Sequence, residues 1–62
     1  MNNETILLTA MRNLMWSRND LAIRLGVTRR TVTRYIQEGT PDRIAFAVQW
    51  IYYLETGKLL GV

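Results

Sequence analysis

The sequence predicts an all-α domain of four helices, and three observations carry that expectation. Apolar residues recur at three- and four-residue intervals in four separate stretches. Each stretch is preceded by Asn, Ser or Thr, and three of the four are followed by glycine, as helix ends usually are. No run alternates with period two for long.

In the first stretch Leu7, Met11 and Leu14 recur at i, i+4, i+7, and Ala10 widens the stripe. Asn2 or Asn3 can cap this helix, with Glu4 favourable in its first turn, so it should run from about Glu4 to Met15. Ser17, with Asp20 three residues on, resembles a capping box and opens a second helix. Leu21, Ala22 and Leu25 form its apolar face, and Gly26 ends it. Thr28 is a good N-cap for the third helix, which places Val32, Tyr35 and Ile36 on one face and stops at Gly39. Its threonines and valine are mediocre helix formers, so tertiary packing must hold it. Thr40-Pro41-Asp42 is a strong start signal for the fourth, with threonine as N-cap and proline in the first helical position. That helix should reach Glu55 or Thr56 and end at Gly57.

Composition narrows the functional classes. At 62 residues the chain makes one domain, 1–62. A fold this small buries only about 60% of its unfolded surface, which leaves little room for a catalytic pocket. Cysteine and histidine are absent and Ser17 is the only serine, so the usual nucleophilic triads and the His- or Cys-based zinc sites are excluded. Glu4, Asp20, Glu38, Asp42 and Glu55 are scattered and form no acid/base pair. No glycine-rich phosphate loop is present. An enzyme, a cofactor, a metal and a small-molecule ligand are therefore not expected. The N-terminus lacks the basic start of a signal peptide, and the longest apolar-rich run, Ile44 to Leu54, is too short for a bilayer span. A soluble cytoplasmic protein is the expectation.

Charge is concentrated. Eight basic residues against five acidic ones leave a net charge of +3. Between Ser17 and Gln37 lie Arg18, Arg24, Arg29, Arg30 and Arg34 with Asp20 as the one acid, so this stretch carries +4 and the remainder −1. With Val32, Tyr35 and Ile36 inward, Arg29, Arg30, Thr33, Arg34 and Gln37 point outward on the third helix. Arginine bonds guanine O6 and N7 bidentately, glutamine does the same to adenine, and threonine meets a thymine methyl. Thr28, at the helix start, leaves backbone N–H groups that suit a phosphate oxygen. On an isolated helix such a face would more often be merely solvated. Here a turn and a preceding helix accompany it.

The stretch Asp20-Leu21-Ala22-Ile23-Arg24-Leu25-Gly26-Val27-Thr28-Arg29-Arg30-Thr31-Val32-Thr33-Arg34-Tyr35 closely resembles the helix-turn-helix of the phage Cro and repressor family. Leu21 and Ala22 match the Leu-Ala of its first motif helix, Gly26 and Val27 its turn, and Val32 and Tyr35 the inward residues of its recognition helix. The resemblance covers roughly Leu7 to Leu54 and implies a compact four-helix domain of the lambda-repressor/Cro type. It implies base contacts from Arg29, Arg30, Thr33 and Arg34, with Thr28 and Gln37 at the ends of the recognition helix, about 28–38. Phosphate contacts fall on Ser17, Arg18 and Asn19. Many members place a glutamate directly after the inward aromatic, to pair with a first-helix arginine; here Ile36 follows Tyr35 and the acid comes at Glu38. Arg12 is left either to pair with Glu38 or to face DNA.

The last helix carries two stripes. Ile44, Val48 and Ile51, broadened by Ala47 and Leu54, should close the core. Phe46, Trp50 and Tyr53 lie elsewhere on the same helix, and a small monomer has few elements to cover them. Segment 42–62 is accordingly the expected dimerisation segment, with Leu59-Leu60-Gly61-Val62 able to join the interface. The expected function is a dimeric, sequence-specific repressor on a short palindromic operator of double-stranded DNA. The alternative is a protein-interaction adaptor or antitoxin-type module binding an acidic partner protein.

Overall fold

The computed structural model describes residues 2–60 and contains, among them, four helices: α1 (Asn3–Leu14), α2 (Arg18–Leu25), α3 (Arg29–Glu38) and α4 (Asp42–Thr56). The fold is all-α. Helix α1 packs chiefly on α4, and α2 on α3.

The helix starts follow local chemistry. Asn2 caps α1 by accepting the Thr5 N–H at 3.1 Å, satisfying one of the orphan donors of the first turn. Ser17 and Asp20 form the full reciprocal box at the start of α2: Ser17 Oγ accepts the Asp20 N–H at 3.1 Å, and Asp20 Oδ2 accepts the Ser17 N–H at 3.0 Å. Thr28 caps α3 by accepting the Thr31 N–H at 3.2 Å.

The fourth start differs from expectation. Pro41, not Thr40, is the N-cap residue of α4, and no side chain caps it. Thr40 is buried, and a buried hydroxyl needs a partner. It donates to the Tyr35 carbonyl at 3.0 Å, closing the end of α3 instead. Asn3 ties the same loop to α1, its Nδ2 donating to the Thr40 carbonyl at 2.9 Å and to Asp42 Oδ1 at 2.7 Å.

Helices α1 and α2 end alike. Gly26 takes the left-handed conformation at φ 71°, and the Val27 N–H reaches back to the Ala22 carbonyl at 3.0 Å. At the end of α1 the left-handed residue is Met15, at φ 56°, with the Trp16 N–H on the Met11 carbonyl at 2.8 Å. Helix α1 therefore stops one residue earlier than the sequence suggests, in a backbone conformation that usually favours glycine.

The core is Ile6, Leu7 and Ala10 of α1, Leu21 and Ala22 of α2, Val32 of α3, and Ala45 and Val48 of α4. Met11, Leu25, Tyr35 and Ile36 pack against it as expected; Ile6, at the other end of α1, joins the core, while Leu14 is half-buried at the last turn. The inward face of α4 is also rotated from the expected one. Ala45 and Val48 are its buried residues, joined at the margin by Ile44 and Tyr52, whereas Ala47 and Ile51 are only half-buried and Leu54 is 65% exposed. Ala45 and Tyr52 flank Val48 at helical spacing, and an alanine on the inward line lets α4 approach its neighbours closely. Ile44 and Val48 of the expected stripe thus meet the core, and Ile51 and Leu54 lie toward its outer edge.

Candidate nucleic-acid interface

Val32 is fully buried, and Tyr35 and Ile36 pack against the core, which sets how α3 is turned. The outward side of this ten-residue helix presents Arg30, Arg34 and Gln37, all exposed, and Arg29 is exposed as the first residue of the helix, one turn before Val32. Thr33 lies among them but is half-buried. Arg30, Thr33, Arg34 and Gln37 line one shallow recess along the helix. Thr28 is exposed at its start, with its hydroxyl engaged by the Thr31 N–H and 3.0 Å from the Thr31 hydroxyl.

The start of α2 lies beside this face. Ser17 and Asn19 are exposed, and Arg18, half-buried, donates from Nη1 to Thr33 Oγ1 at 3.4 Å. The residues expected at phosphates and those expected at bases thus meet at the Arg18–Thr33 contact. Hydrogen bonds from the Ser17 backbone and side chain hold the Asp20 carboxyl below the usual aspartate range, with Arg24 adding a smaller pull, so the α2 cap stays anionic at neutral pH.

Two basic residues depart from the sequence picture. Arg24 turns away from the α3 face. Its guanidinium sits 4.3 Å from the centre of the Trp16 ring, and Nη2 is 3.7 Å from Glu55 Oε1 of α4. Arg43, outside the segment that the charge count singled out, lines a recess with Arg34, Tyr35 and Glu38 at the far end of α3. The short Gly39-Thr40-Pro41 connection was the available signal, because three residues cannot carry the start of α4 far from the end of α3.

Of the two options for Arg12, pairing with Glu38 is not the one observed. Arg12 is exposed, and Glu38 Oε2 lies 3.6 Å from Arg34 Nε within α3. Residues four apart on one helix are already neighbours, so this pair forms without any tertiary constraint. Both side chains are two-thirds exposed, and such surface pairs contribute about 0–1 kcal/mol. Arg34 is readily transferred to another anion.

A second surface lies on α4. Phe46, Trp50 and Tyr53 are 67%, 62% and 43% exposed, on the side of the helix turned away from Val48. The rings of Trp50 and Tyr53 stack with centroids 6.1 Å apart and planes 18° from parallel. With Gln49 and Leu59 they line an open apolar recess. Leu60 packs against the core instead, and Gly61 and Val62 lie outside the described residues. Among the described residues no helix is long and apolar enough to cross a membrane.

No family model, no curated protein and no solved structure matches the chain.

Proposed function

We propose that the chain is a sequence-specific DNA-binding transcriptional regulator, in which α2, the Gly26 turn and α3 act as a helix-turn-helix and α3 enters the major groove. The observation that carries this reading is the outward set on α3. Arg29, Arg30, Arg34 and Gln37 stand exposed on a single short helix, and among the described residues their only ion pair is the weak one from Arg34 to Glu38. A major groove about 12 Å wide admits one α-helix, and these side chains are suited to the edges of guanine and adenine. Ser17, Arg18 and Asn19 at the start of α2 supply phosphate contacts, which fix register without reading sequence.

The α4 face supports a second copy of the chain as partner, with Phe46, Trp50 and Tyr53 at the interface. A two-fold dimer would set two copies of α3 about 34–36 Å apart, on successive major-groove faces of a palindromic operator. The simplest mechanism is steric: a dimer bound over a promoter excludes polymerase.

The test is a titration of the protein into a fluorescent duplex covering the region upstream of its own gene, beside a scrambled duplex, at two salt concentrations. The expected result is a preference of about 10³-fold or more for the native duplex. Equal, salt-sensitive binding to both would leave a basic domain whose target lies elsewhere. Binding to neither at low salt would favour an acidic protein partner in place of DNA.

A further inference from the structure

One arginine of the basic stretch leaves its own helix for the next. Arg18 is the first residue of α2, and its Nη1 donates to Thr33 Oγ1, fifteen positions later on α3. Among the described residues this is the only hydrogen bond between side chains of those two helices. Arg18 is half-buried where Arg29, Arg30 and Arg34 are exposed, and Thr33 is half-buried where Gln37 is exposed. A guanidinium has five N–H donors, so the bond to Thr33 leaves four for other acceptors. Thr33 has a short, β-branched side chain, stiff at its first torsion, and its hydroxyl oxygen accepts from Arg18, which turns it toward α2. It is poorly placed to reach a base that longer neighbours reach first.

We propose that Thr33 is a positioning residue for Arg18 and reads no base itself. Its hydroxyl holds the guanidinium at the edge of the α3 face, where Arg18 meets a DNA phosphate. The inference rests on the DNA-binding reading above and deepens it. An arginine already held in the bound orientation loses less conformational freedom when the duplex arrives. At 3.4 Å the bond is long, which suits a contact that orients the side chain without competing with a phosphate for it.

Two conservative variants separate this role from base reading. Thr33→Val keeps the side-chain shape and a methyl group but loses the hydroxyl, whereas Thr33→Ser keeps the hydroxyl and loses the methyl. Each is titrated into the native and the scrambled duplex over a range of salt, beside Arg18→Ala and the Arg18→Ala/Thr33→Val double variant. The expected result is a several-fold loss for Thr33→Val, equal on both duplexes. Its slope of log K against log salt should stay at the wild-type value, because Arg18 keeps its charge, whereas that of Arg18→Ala should drop by about 0.9, the loss of one phosphate contact. Thr33→Ser should bind like the wild type, and the double variant no worse than Arg18→Ala alone.

A Thr33→Val loss confined to the native duplex would assign the hydroxyl to a base and overturn the proposal. An unaffected Thr33→Val beside a weakened Thr33→Ser would assign the methyl to a thymine, with the same consequence. Additive losses in the double variant would show that the two residues act separately. All three outcomes leave the DNA-binding reading standing. A wild-type chain that binds neither duplex overturns both.

Discussion

Five arginines crowd the stretch from Ser17 to Gln37, yet the structure gives them different surroundings. Arg30 and Arg34 line one recess along α3, Arg29 is exposed at the helix start, Arg18 leans onto Thr33, and Arg24 is held between the Trp16 ring and Glu55. A charge count treats the five as equal. Only the packing of Val32 and Leu21 decides which of them face outward together. Arg29→Ala or Arg30→Ala is expected to cost about 1–3 kcal/mol on the native duplex if the residue reads guanine. A loss of the same size on the scrambled duplex would make that arginine a phosphate contact. Asp20 gives a pH prediction. Its folded value lies below the unfolded one of about 3.9. The stabilisation is therefore complete above the unfolded value and is lost as pH falls through the lower, folded one. Melting temperatures of the wild type and Asp20→Asn should differ at neutral pH and converge on acidification below about pH 4. A constant gap would show that Asp20 contributes nothing through its charge.

Helix ends were legible in the sequence wherever the signal was local. The Ser17–Asp20 box, the Thr28 cap and the Gly26 stop need only residues within a few positions of one another, and all are present. Thr40 departs from its local signal because its hydroxyl has two possible uses, and the choice depends on where the end of α3 stands relative to it. Two neighbouring helix ends give predictions of opposite sign. Gly26 is left-handed, and a Cβ there meets nothing within 4 Å, so Gly26→Ala should destabilise by about 1 kcal/mol through backbone strain alone. Met15 has the same left-handed backbone with its side chain 89% exposed. Met15→Gly relieves that strain while giving up little packing, and should stabilise by up to about 1 kcal/mol. Chemical denaturation of both variants beside the wild type measures the pair. A stabilised Gly26→Ala or a destabilised Met15→Gly would contradict the account.

At the scale of the molecule, α4 does two things. One side completes the core through Ala45 and Val48, and the other leaves Phe46, Trp50, Tyr53 and Leu54 uncovered. Two stripes on this helix were visible in the sequence, but their boundary was not, because Leu54 fits the spacing of either. Trp50 is 62% exposed, so Trp50→Ala removes little intramolecular packing and should keep the melting temperature within a few degrees of the wild type. If a second copy covers this face, the same variant should sediment as a monomer at concentrations where the wild type is a dimer. Dimers persisting in Trp50→Ala would move the interface elsewhere.

The four helices, most of their caps, the inward residues of α2 and α3, and the concentration of positive charge near them are all legible from the order of residues. These follow from periodicity and from interactions within a turn or two of the chain, where spacing along the sequence is spacing in the molecule. Tertiary structure decided which arginines share a face, how Thr33 is engaged, where Arg43 sits and which flank of α4 turns inward. Each of these depends on how one helix is rotated about its axis against another. That rotation is set by side chains far apart in the sequence, such as Leu7, Val32 and Val48, meeting in one close-packed core.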